Sequence, residues 1–129
     1  VNVATRALAG TGENALIAGF YVSGSAPKRV LIRGVGPALT QFGVSGALAR
    51  PQLTIASGAN ILAQNSGLAS SAEAASIVAA AAQVGAFALP ANAADAAILI
   101  NLAPGAYTAQ VSGVGGATGV ALVEVYEVP

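Results

Sequence analysis

The chain has 129 residues, 55% of them hydrophobic, and only ten formal charges, five of each sign, so that charged residues make up 8% of the sequence and the net charge is zero. An ordinary soluble domain carries roughly 25%. A balance this sparse excludes the basic footprint of a nucleic-acid binder and the cationic stripe of a protein that lies on anionic membranes. The absence of His and Cys excludes a Ser-His-Asp triad, a Cys–His pair, a thiolate or imidazole zinc site and any disulfide.

One domain spanning residues 1–129 is expected at this length. Its first strand runs from Val1 to Leu8, where Val1, Val3, Thr5 and Ala7 alternate with Asn2, Ala4, Arg6 and Leu8, the period of an extended chain. Gly10 to Asn14 reads as a turn, Ala15 to Ser23 as a second strand, Gly24 to Pro27 as a break and Val30 to Arg33 as a third strand. After Gly34-Val35-Gly36-Pro37, residues Ala38 to Phe42 fit a short helical turn, since Pro is accepted at a helix start. Leu53 to Ala56 and Ile61 to Gln64 form a hairpin about Ser57-Gly58-Ala59-Asn60.

Ser70-Ser71-Ala72-Glu73 fits a capping box, with Ser70 and Glu73 each satisfying a free backbone N–H at a helix start. A short Ala-rich helix near 71–84 follows, closed by Gly85. No run of eighteen apolar residues exists, because the closest stretch, Ala74 to Leu89, is interrupted by Ser76, Gln83 and Gly85; no membrane insertion is expected. Asp95 to Leu102, Ala106 to Ser112 and Val120 to Val128 complete about eight strands. Their short, even spacing without βαβ alternation predicts an all-β fold, a two-sheet β-sandwich with jelly-roll or Greek-key connections.

Catalytic chemistry finds little to work with. Paired-carboxylate hydrolysis needs two of Glu13, Glu73, Asp95, Glu124 and Glu127 to converge, and they are scattered along the chain. Gly34 to Pro37 and Gly113 to Gly116 do not complete a nucleotide-binding G-x-G-x-x-G. Oxygen ligands for calcium are offered by Glu13 with Asn14 and by Asp95 near Asn92, each with too few carboxylates for a metal site. No enzyme, cofactor or metal is therefore expected. Arg6, Arg33 and Glu124 fall inside strands, where a charge must face water or find a partner; they are candidates for a structural ion pair. Tyr21, Tyr107 and Tyr126 could build a sugar-stacking platform, but three scattered tyrosines with no Trp beside them read better as sandwich-edge packing with a hydrogen-bonded hydroxyl.

Several longer segments carry a resemblance. Thr5-Arg6, Gly10 to Phe20, Gly24 to Arg33, Gly36-Pro37, Leu102 to Ala109 and Gly119 to Tyr126 together resemble a β-sandwich module that recurs, often near the C-terminus, in large secreted proteins of environmental Gram-negative bacteria. The Pro104-Gly105-Ala106-Tyr107-Thr108 hairpin resembles that of bacterial pre-peptidase C-terminal domains. The resemblance implies export and a supporting role, and brings no catalytic residues. Many such modules have an acidic, aromatic loop where this chain has Ser66-Gly67-Leu68-Ala69, which argues against a calcium or ligand role there.

The scarcity of charge implies that part of the surface is apolar and is covered by a partner. The functional expectation is a self-associating extracellular or cell-surface structural protein, a filament subunit whose N-terminal strand, with Val1, Val3, Thr5 and Ala7 on one face, completes a sheet of the next copy. Its partners are copies of itself, and no nucleic acid. The chain begins at Val1 and contains no Met, as expected of a secreted chain whose signal peptide has been removed or of a piece of a longer protein. The alternative is an adhesion or carbohydrate-binding accessory module of a longer secreted protein.

Overall fold

The computed structural model describes residues 3–9 and 15–129, with residues 3–8 described by their backbone alone. Val1, Glu13 and Asn14, which carried expectations, lie outside the described residues, as does the side chain of Arg6. Strands β1 (Val3–Ala9), β8 (Gly119–Val128), β3 (Lys28–Val35) and β6 (Ala96–Leu102) lie in that order in sheet A; β2 (Leu16–Val22), β7 (Gly105–Gly113), β4 (Pro51–Ser57) and β5 (Asn60–Asn65) form sheet B. Every neighbouring pair is antiparallel. The pairs β1–β8, β2–β7, β3–β6 and β4–β5 are those made by rolling up one long hairpin from its β4–β5 tip, which is the jelly-roll form of the sandwich. That tip is tight: Ser57 pairs with Asn60, and Gly58 at φ 59° supplies the positive φ a two-residue connection needs.

Alternation along the strands fills the space between the sheets. Leu16, Ala18 and Val22 of β2, Leu53 and Ile55 of β4, and Ala109 and Val111 of β7 meet Val30 and Ile32 of β3, Ala121, Val123 and Val125 of β8, and Ile98 of β6. Sheet A is buried on its other face as well. There Leu31, Ala97 and Val128 pack against Leu68, against Ile77, Ala80 and Ala81 of the helix α1 (Ala74–Gln83), and against Leu89 and Ala93 of the segment that follows. This second layer explains the unbroken apolar run Val30-Leu31-Ile32 in β3, a pattern that only a strand covered on both faces supports.

Two local expectations are corrected. The capping box does not form: the helix begins at Ala74 with no side-chain cap, the Ser70 hydroxyl donates back to the Gly67 carbonyl at 2.8 Å, and the Glu73 amide donates to the Ser71 hydroxyl. The 3-10 turn Leu68–Ser70 occupies the residues the cap would have used. Asp95 stands before β6 instead of inside it, with a role described below. The turn after Pro37 is a 3-10 helix over Pro37–Phe42. It is held against the loop before β4 so closely that a Cβ on Gly36 would come within 2.1 Å of the Leu48 carbonyl oxygen.

Candidate functional site

The most concentrated polar chemistry lies beneath the second layer of sheet A. Arg33 of β3 stands opposite Glu124 of β8, and its Nε donates to Glu124 Oε1 at 2.8 Å. Its Nη1 donates to the Phe87 carbonyl at 2.7 Å, and the guanidinium lies 4.3 Å from the Phe87 ring centroid. The Tyr126 hydroxyl donates to the other Glu124 oxygen, Oε2, at 2.6 Å. Nη2 lies 2.8 Å from Oε1, with its N–H bonds poorly aimed at that oxygen; it is the one buried side-chain nitrogen or oxygen among the described residues without a hydrogen bond. Burial, the hydrogen bond to Glu124 and that carboxylate's charge push the Tyr126 hydroxyl up to about 12. Arg33 is fully buried, Glu124 nearly so, and Tyr126 half-buried. The network is a structural ion pair that lets two central strands carry charge under a lid.

The remaining carboxylates among the described residues are kept apart. Asp95 is buried, and its Oδ2 accepts the backbone N–H groups of Gly36 and Ala38 at 2.8 and 3.0 Å, tying the Pro37–Phe42 turn to the start of β6. The Gly34 to Pro37 loop therefore uses its amides internally. Glu127 lies 3.3 Å from Lys28 at the surface, and Glu73 is exposed ahead of α1. Among the described residues no three His, Cys, Asp or Glu side chains gather as metal ligands.

The tyrosines point three ways and make no platform. Tyr107 stacks on Phe20 at 5.7 Å and donates its hydroxyl to the Ala103 carbonyl at 2.5 Å, pinning the Pro104–Thr108 hairpin. Tyr126 is committed to Glu124. Tyr21 faces outward from β2, 67% exposed.

Tyr21 leads to the feature that charge scarcity anticipated only in outline. The outer face of sheet B is built from cross-strand rows: Ile17–Gln110–Thr54–Gln64, Gly19–Thr108–Ala56–Ile61, and Tyr21–Ala106. None of the four strands contains Lys, Arg, Asp or Glu. The large apolar side chains exposed there are Ile17, Tyr21, Ile61 and Leu62, the first three more than half exposed. Sheet A, in contrast, carries Lys28, Arg29, Arg33, Glu124 and Glu127, and its outer face is covered by α1 and residues 84–93. The sandwich thus has one sealed face and one bare, uncharged face. Sequence reasoning had each of these strands and missed the face, because nothing local says that β2, β7, β4 and β5 share a sheet.

No protein-family model matches the chain, and no curated protein matches it. Among solved structures it is similar to the pre-peptidase C-terminal domain of a collagenase from Bacillus anthracis, with a TM-score of 0.56 over 98% of this chain and 90% of that one, at 14% identity. The fold is that of a pre-peptidase C-terminal domain, as the Pro104–Thr108 hairpin suggested. No described helix is long and apolar enough to cross a membrane.

Proposed function

We propose that this chain is a non-enzymatic, extracellular structural module that self-associates, burying the bare face of sheet B and engaging its N-terminal strand with neighbouring copies. The observation that carries the reading is the uncharged face: a four-stranded surface with Ile17, Tyr21, Ile61 and Leu62 standing out of it and no formal charge on any of its strands. Apolar patches of this kind on soluble proteins mark contact surfaces. Strand β1 supports the second element of the reading, because it lies at the edge of sheet A and, among the described residues, pairs with β8 alone. Such a strand is the piece most readily shared between copies, as in strand-complemented fibres.

The match to a domain of a collagenase favours a second reading, an adhesion or carbohydrate-binding accessory module of a longer secreted protein. Of the three tyrosines only Tyr21 is free to meet a sugar. Sedimentation velocity over a concentration series separates the two. Self-association predicts oligomers that grow with concentration and become smaller in the double variant Tyr21→Lys with Ile61→Lys, while its melting temperature stays within a few degrees of wild type. A wild-type monomer at every concentration, retained on a polysaccharide column, would overturn the first reading in favour of the second.

A further inference from the structure

Sheet A has two edges, β1 and β6, and the β6 edge is open in an unusual way. The Ala97 amide donates to Asn65 Oδ1 at 3.2 Å, which shows that the backbone of Ala97 turns away from β3. Backbone groups alternate direction along a strand, so the N–H and C=O of Leu99 and Asn101 also point off the edge. Neither amide meets a partner among the described residues.

These groups line a groove. One wall is the end of β5, with Ala63 and Gln64; the other is the start of α1, with Glu73 and Ile77, and the floor is β6 itself. Two adjoining recesses of about 190 and 200 Å³ run along it past Asn101. Exposed edges are ordinarily blunted by charge, proline or a bulge. β6 has none of these: its seven residues, Ala96 to Leu102, are uncharged and pair with β3 in unbroken register. Unpaired amides and carbonyls spaced along an uncharged strand are complementary to one ligand chemistry, the backbone of an extended peptide.

We propose that the β6 edge accepts strand β1 of a second copy, so that sheet A continues from one molecule into the next. The occupant follows from the sheet. β1 is its opposite edge, is also seven residues long, and is paired on one side alone. Joining edge to opposite edge repeats the same head-to-tail contact at every step, which builds an open polymer unless its rotation closes a ring. This rests on the self-association reading above and names its acceptor.

The chain has no cysteine, which permits a direct test on the full protein. Arg6 and Leu99 are the central residues of β1 and β6, and their register positions share one face of sheet A. Within one copy they are separated by β8 and β3 and by four residues along the sheet, Arg6 standing level with Val35 and Leu99 with Leu31, about 19 Å at ordinary strand spacing and rise, too far for a disulfide. Under mild oxidation Arg6→Cys with Leu99→Cys is therefore expected to give a ladder of disulfide-linked oligomers on a non-reducing gel. A parallel variant, Arg6→Cys with Leu122→Cys, reports on the β1–β8 pair and is expected to close within each copy as a monomer. A ladder from the Leu122 variant and none from the Leu99 variant would mean that β1 is exchanged onto β8 of a neighbour, which overturns the β6 acceptor and leaves self-association standing. Wild-type protein that remains monomeric overturns both. Leu99→Pro supplies a second measurement, because it removes an outward amide without touching the ladder to β3; a folded Leu99→Pro protein is expected to form smaller oligomers than wild type, and one that assembles as wild type contradicts the proposal.

Discussion

Arg33 is fully buried and depends on three partners, the Glu124 carboxylate, the Phe87 carbonyl and the Phe87 ring. A buried pair is costly to form and costlier to break, because removing one member strands the other without water. Glu124→Gln is thus expected to destabilise the domain by about 3–5 kcal/mol in chemical denaturation, whereas the joint replacement Arg33→Met with Glu124→Leu recovers most of that loss. Tyr126 belongs to the same network and responds to pH. Its folded-state hydroxyl titrates at about 12 instead of 10, so the folded protein holds that proton more tightly than the unfolded chain does. The resulting stabilisation is complete below pH 10 and is lost as pH rises towards 12. Denaturation midpoints measured across that interval should fall in the wild type and fall less in Tyr126→Phe.

At the scale of elements, the strands were legible because alternation and turn residues act locally. The Ser57–Asn60 hairpin tip and the positive φ of Gly85 after α1 are local in the same sense. The start of α1 was not legible: Ser70 is spaced correctly for a cap, yet the chain enters through a 3-10 turn that takes its hydroxyl. The Asp95 anchor was also missed, since its partners Gly36 and Ala38 lie 59 and 57 residues away and offer only backbone. Glycine carries a close approach at this same junction. A methyl group at position 36 would meet the Leu48 carbonyl at 2.1 Å, and backbone has no rotamer with which to move aside. Gly36→Ala is accordingly expected to lower the thermal midpoint strongly or prevent folding, while Gly43→Ala, where nothing lies within 4 Å, pays only the strain of a positive φ.

For the whole molecule the decisive property is where the few charges lie. Apart from Arg6 and Glu13, whose side chains are outside the described residues, they sit on sheet A or in the connections between strands, and sheet B has none. Composition announced an under-charged surface, and the observed 6174 Å² matches the area expected of a monomer this size. What composition could not say is that the deficit is concentrated on one side. That depends on the order of strands in the sheets, which wraps β2, β7, β4 and β5 together and lays the chain between β5 and β6 across the other sheet. Hydroxyl-radical footprinting at low and high protein concentration tests the claim that the bare face is a buried contact most directly. The account predicts that Tyr21, Ile61 and Leu62 are oxidised readily in dilute solution and protected on concentration, with Tyr107 and Tyr126 unchanged; equal oxidation of Tyr21, Ile61 and Leu62 at both concentrations would contradict it.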